Sequence, residues 1–592
     1  MIRRTTGGPA RLLMVLALLA LPLEMALAQS GDWLEAPAEA ADYQNGGTLY
    51  EPLMDFVYEL ESRTELMNVR KLTETLGGRD VVLAILSNPP VFQPGDLEGS
   101  DKPIVLIVNN VHGGEVAGKD AAMELMRDLV MGDLRPLLDE VVVLVIPTIN
   151  PDGAEIYRRT NDEGFDMNRD YIKLETQEIQ SLVTDVINEW HPHIHLDTHH
   201  GGSAPYTLTY QGNMNPAGDP NIMALGDFEI LPRIREALRA EDYEGFWYSG
   251  PRTVDGVEGW GPTSVEPRKQ HVYSTLANMV GFLFETPSGT HRVVDNGTRV
   301  VPVPEEERYR HQVRGEYLGQ RELIRFAAER GDELMAVVAQ AREDAINRGN
   351  DVNDNDQIPL AYQQVERFKA DFWRPAEGSS RRGEDVEYEL VNGPVFTKWE
   401  PTVTATRPWG YLMPNSLTKV VPLLLEHGIS VKQLTEDVEL EVEVWQATEI
   451  THDEYFQAHY LKDVKAQKDT KTVTMPAGSF FIPSGQPMSN FISYIFEPTT
   501  NDNLVTWGYL DNVLQVTPTE EEIAQERAEM EETLAQMSQE DRAQYGPQIQ
   551  RRIQRLTAPQ EIPLYRVMEK TEIPGVLVER FNKYERNRYI RY

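Results

Sequence analysis

The sequence has no cysteine in 592 residues. That removes disulfide scaffolds, thiolate zinc sites and cysteine nucleophiles together. Positive charge is also scarce: 56 Lys and Arg stand against 94 Asp and Glu, a formal charge of −38. Phosphate contacts need cations, so a general nucleic-acid binder is excluded and docking on anionic lipid is disfavoured. There is no internal repeat and no low-complexity tract. What is present is an apolar fraction of 41% and nine tryptophans, which argues against a disordered chain. The length predicts two or three domains, each large enough to bury a core without staples.

Met1–Ala28 reads as a secretory signal. Arg3, Arg4 and Arg11 form a positive start, and Leu12–Leu21 is an apolar stretch too short to span a bilayer comfortably. Ala26-Leu27-Ala28 is a small-x-small cleavage site, so the mature chain would begin at Gln29, with no membrane anchor left. Export without disulfides points to a bacterial envelope or medium, periplasmic or extracellular.

Beyond an arm at 29–66, short apolar runs alternate with helical spacing. Asp80–Leu86, Pro103–Asn109, Glu140–Ile149, His193–Thr198 and Gly281–Glu285 read as strands; Glu115–Val130 and Thr176–Trp190 read as helices. Glu140–Ile149 is almost wholly apolar, as a strand buried on both faces should be. The alternation predicts an α/β domain with a mostly parallel central sheet flanked by helices, over 29–345. The polar stretch 346–394 reads as a connection. Residues 395–592, with runs such as Asp437–Trp445 and Phe491–Pro498, read as a β-rich second domain. A charged helical insertion is expected near 519–556, broken at Gly546-Pro547.

Four segments of the first domain carry chemistry. Asn109-Asn110-Val111-His112-Gly113-Gly114-Glu115 follows a strand and opens a helix. Its glycines let the backbone turn so that imidazole and carboxylate converge, a donor set suited to zinc. Asn150-Pro151-Asp152-Gly153 lies at the end of the buried strand, the edge where open α/β sheets bind ligands, although the composition also suits a plain turn. Arg158, Arg159, Asn161, Asn168 and Arg169 concentrate guanidinium and amide donors as an anion site would. Finally, His193, His195, Asp197 and His199 share one face of a strand, and His199 stands where that strand ends. Downstream, the apolar run Phe282–Phe284 ends in the carboxylate of Glu285.

In this order the segments resemble the zinc carboxypeptidases, the carboxypeptidase A-like metallopeptidases, over roughly Tyr50–Arg330. The resemblance implies one zinc per chain, held by His112, Glu115 and His199, the last preferred over His200 because it stands two residues after Asp197. It also implies Arg159 as the residue that polarises the scissile carbonyl, Asn168 and Arg169 as the pair that holds a terminal carboxylate, and Glu285 as general base. The implied substrate is a peptide, or peptide-like molecule, with a free C-terminal carboxylate. Cell-wall peptides or another carboxylate-terminated amide are the alternative. An inactive exported binding protein on a peptidase fold is the rival from another class, disfavoured because His112, Glu115, His199 and Glu285 are all present. Another rival, a barrel-type amidohydrolase using His193-x-His195, usually places that pair on an early strand. The family's mobile tyrosine has no secure counterpart; Tyr273 is one candidate, and Arg268 is a candidate second anion ligand. Asp170, beside Arg169, would tune charge preference. The aromatic loop Phe246–Trp260 is either a pocket wall or, slightly favoured, a packed cluster.

Overall fold

The computed structural model describes residues 33–578, except 263–264, 381–382 and 557. The expected signal sequence at 1–28 lies outside the described residues. The centre of the fold is an eight-stranded sheet. Its strands are β1 (Met67–Glu74), β2 (Asp80–Leu86), β3 (Ile104–Asn109), β4 (Val142–Ile146), β5 (Ile194–His200), β6 (Leu208–Gly212), β7 (Gly245–Trp247) and β8 (Val280–Thr286). They lie in the order β1-β2-β4-β3-β5-β8-β6-β7. The middle, β4-β3-β5-β8, is parallel throughout, as the crossovers between these strands require. The flanking β1-β2-β4 and β8-β6 pairings are antiparallel.

Alternating side chains of this sheet feed two cores. Val105 and Ile107 of β3 face helices α1 (Ala117–Val130) and α2 (Arg308–Glu329). Leu106 and Val108 face the helical run 177–190 and the C-terminal region. That second cluster is continuous from Leu106 and Tyr273 to Phe491, Tyr411 and Leu424, so no solvated gap separates the C-terminal region from the sheet.

Several stretches differ from the sequence reading. The arm contains a helix, Tyr50–Ser62, with Leu53, Phe56, Val57 and Leu60 buried on one stripe. The polar connection holds strands Gln357–Val365, Phe368–Pro375 and Tyr388–Val395. The polar runs NDVNDND and EGSSRRGED that made the stretch read as linker lie before and between these strands, while Phe372 packs 5.4 Å from Trp260. The run around Phe491 is a helix, Ser489–Phe496, with all eight residues buried. Continuous apolar runs do not reveal their period. The charged insertion forms helices Glu520–Gln536 and Gln539–Arg555, and the break falls where Ser538 caps the second helix; Pro547 lies inside that helix.

Candidate active site

The site forms at the carboxyl ends of β3, β5 and β8. After β3 the chain turns sharply at Asn110, which has φ of 61°. The Asn110 amide staples the turn by donating to the carbonyls of His112 (2.9 Å), Gly113 (3.1 Å) and Glu115 (2.9 Å). Its oxygen accepts from Thr148 Oγ1 at 3.0 Å. Asn150 joins this turn to the next one: its Nδ2 donates to Val111 O and Arg159 O, and its Oδ1 accepts from Gly153 N. A Cβ on Gly113 would stand 2.1 Å from the backbone carbon of Gly153. The Asn-Pro-Asp-Gly segment is therefore the brace that lets two backbones touch, not only a turn.

These turns bring His112, Glu115 and His199 together. Among the described residues, they form a group whose donor atoms all lie within 4.8 Å of one another. His112 Nδ1 is 2.9 Å from Glu115 Oε2 and 3.0 Å from His199 Nδ1; His199 Nδ1 is 2.9 Å from the same Oε2. The opposite nitrogen of each ring meets a carboxylate: His112 Nε2 reaches Asp166 Oδ1 at 2.9 Å, and His199 Nε2 reaches Asp197 Oδ2 at 2.8 Å. A carboxylate on the far nitrogen fixes the tautomer whose Nδ1 offers a lone pair, as metal-binding histidines require. Two imidazoles and one carboxylate converging in this way fit a zinc ion with one position left open. Although burial opposes ionisation, His112 and His199 hold the Glu115 carboxyl well below the usual range. His200 points elsewhere, accepting from Ala117 N at 2.8 Å. His195 lies deeper on the same face of β5 and takes no part in the group, with its Nδ1 on Ser274 Oγ at 2.9 Å.

Glu285 ends β8 directly beside His199 on β5. Burial pushes its carboxyl up to about 7; His199 opposes that shift and Glu115 adds to it. Gly201 makes room for it, since a Cβ there would lie 2.3 Å from Glu285 Oε2. Arg159 is half-exposed and donates to Glu115 Oε1 and Asp166 Oδ2, each at 3.0 Å. Arg169 donates to Asn168 O at 2.7 Å and lies 4.0 Å from Asp166. Asn168 Nδ2 sits 3.0 Å from His199 Nε2, and its Oδ1 accepts from Gln270 N at 3.0 Å.

Three expected residues are placed differently. Tyr273 is fully buried, 5.4 Å from Phe491, with its hydroxyl on His427 Nδ1 at 3.1 Å; it is a core residue and cannot cap a substrate. Arg268 is paired with Asp502 at 3.4 Å and lies over the rings of Phe456 and Trp507, so its charge is already neutralised. Asp170 is buried on Lys173, Thr176 and Glu175 N, a loop staple that does not face a substrate. The aromatic loop divides. Phe246 and Trp260 pack with Tyr206 and Phe372, whereas Tyr248 neighbours Glu285, and burial together with that carboxylate's charge raises its hydroxyl pKa. Nothing in local sequence separated Tyr248 from its packed neighbours, since it lies just beyond the end of β7.

The chain is similar to several known proteins. A family model described as zinc carboxypeptidase matches residues 53–235. A probable carboxypeptidase 2 of Arthroderma benhamiae is 23% identical over 433 residues, covering 71% of this chain and 77% of that protein. Carboxypeptidase 2 of Trichophyton equinum is 22% identical over 491 residues, covering 80% and 86%. Among solved structures, a metallo-carboxypeptidase from Pseudomonas aeruginosa is 19% identical with a TM-score of 0.36, covering 49% of this chain and 71% of that one.

Proposed function

We propose, from the premise that this chain belongs to the zinc carboxypeptidase family and is a metallopeptidase hydrolase, that it binds one zinc ion and releases C-terminal residues from peptides. The observation that carries this reading is the convergence of His112, Glu115 and His199 beside the buried carboxyl of Glu285. When bound, zinc supplies Lewis-acid polarisation of the scissile carbonyl and acidifies water.

The remaining steps fall to the chain itself. Glu285 takes a proton from the attacking water and returns it to the leaving nitrogen, and its raised pKa suits both tasks. Arg159, half-exposed beside Glu115, donates to the carbonyl oxygen as that oxygen gains charge. Arg169 pairs with the terminal carboxylate. Asn168, beside His199 with its Nδ2 at 3.0 Å, assists Arg169 as the family resemblance implies. Tyr248, a neighbour of Glu285, is assigned to cover the bound substrate. The pattern at 1–28 supports action outside the cytoplasm.

The test is a panel of blocked dipeptides and cell-wall peptides, with zinc counted per chain. Wild type should carry about one zinc and release C-terminal residues; His112→Ala should lose both. Zinc bound without cleavage of any substrate would overturn the activity. Absence of zinc from wild type would overturn the site.

A further inference from the structure

The C-terminal region reaches the active site through a long hairpin. Strands β9 (Val438–Phe456) and β10 (His459–Met475) pair antiparallel, with Phe456 opposite His459. The turn between them is Gln457-Ala458, with φ of 49° and 61°. Both values lie in the left-handed region, as a tight two-residue turn between twisted strands demands. Around the tip every inward group is engaged. Phe456 lies under Arg268. The His459 ring stands edge-on to Trp507 at 5.5 Å, and its Nε2 is 2.9 Å from Glu175 Oε1. Gln457 Oε1 accepts from the backbone N–H of Asp166 at 2.9 Å.

Asp166 is the carboxylate behind the site. It meets His112 Nε2, accepts from Arg159, and caps the turn carrying Asn168 by accepting from Asn168 N at 3.1 Å. The C-terminal region grips the rest of this turn as well. Lys173 lies 4.6 Å from the Trp507 ring, and His427 Nε2 reaches Ile172 O at 3.0 Å. The segment 166–175 carries the anion-binding residues, yet it has no strand or long helix of its own to hold it. Its outer face is supplied by residues some three hundred positions downstream.

We propose that Gln457 is a positioning residue of the hydrolytic centre. By fixing the Asp166 backbone, the hairpin tip sets the orientation of His112 and Arg159, and so the metal affinity and turnover of the first lobe depend on the C-terminal region. This rests on the zinc carboxypeptidase reading above. Partners outside the ligand shell typically change metal affinity by about 10–100-fold, and Gln457 acts one bond further out, so the low end applies.

The experiment uses the full chain with zinc as the probe. Gln457→Met keeps length and packing but removes the acceptor; Gln457→Glu keeps an acceptor. Chelator competition should show zinc bound about tenfold more weakly in Gln457→Met. On a blocked dipeptide kcat should fall with KM nearly unchanged, and Gln457→Glu should recover most of both losses. Thermal melting of the metal-free proteins checks that the hairpin stays folded. Equal zinc affinity and kcat in wild type and Gln457→Met would overturn the role, as would equal loss in the Met and Glu variants. A wild type that binds no zinc would overturn the underlying reading and this role with it, an outcome separable from the other two.

Discussion

Two layers of the same strand make an instructive contrast. His199 and His195 lie four residues apart on one face of β5, both buried. His199 has a carboxylate on each side, Asp197 on Nε2 and Glu115 on Nδ1. Among the described residues His195 has one neutral partner, Ser274 Oγ, and an Nε2 without one; burial alone drives its pKa down to about 3. The acids repeat the pattern. Glu285 stands among His199, Glu115 and Arg159, with its pKa at about 7. Glu316 of α2 is completely buried, and among the described residues neither of its oxygens has a hydrogen-bond partner. Burial makes a titratable group unusual, but convergence of donors with opposite charge makes it useful.

The sharpest way to break this contrast is Glu285→Gln. General acid–base groups contribute about 10²–10⁴-fold, so kcat/KM should fall by that factor while zinc stays bound. If the zinc leaves with the carboxylate, Glu285 is a ligand and the division between ligand and base fails. Gly201→Ala should come next. The added methyl must displace the Glu285 carboxylate, and a misplacement of about 1 Å can cost about 100-fold in turnover. Measured kcat should fall with zinc content intact; an unchanged kcat would show that the carboxylate has room to move.

Asp197→Asn and Ser274→Ala then compare the two histidines directly. Losing the carboxylate behind His199 should weaken zinc binding by about 10–100-fold. Removing the hydroxyl beside His195 should leave zinc affinity untouched and alter only stability. Equal effects on zinc from both variants would erase the distinction between the layers.

Much of this architecture could be read from sequence, and the divide follows a physical line. His112, Glu115, His199 and Glu285 stand at or just past strand ends, and the order of their motifs, through the family resemblance, picked them out; the structure groups the first three and pairs Glu285 with His199. Tyr273 and Arg268 could not be placed in that way. Both face the C-terminal region, through His427 and Asp502, and no local spacing encodes a contact some 150 to 230 residues away. The same holds for Gln457. Its neighbours predict a strand, and only the docked hairpin reveals Asp166 above it. The helix at Ser489–Phe496 escaped for a different reason: buried on every side, it lost the polar stripe that marks helical periodicity.

Glu316→Gln gives the smallest effect and tests the inner layer. Burial lifts the Glu316 pKa far above the ordinary carboxyl range; the charge of His199 opposes the shift, while those of Glu285 and Asp197 add to it. Its folded state therefore holds a proton that the unfolded chain releases above about pH 4.3. Stability is lost as pH rises from there, because the unfolded state gains by ionising and the folded state does not. Glutamine removes that dependence. Near pH 4 the variant should melt with wild type, and at pH 8 it should melt higher, with the gap widening between. Turnover should change by less than about twofold, since no hydrogen bond of the site involves this carboxyl. A variant that keeps its zinc and its melting temperature but loses activity would show a carboxyl serving the reaction without a direct partner, and the rule that convergence marks the working layer would fall.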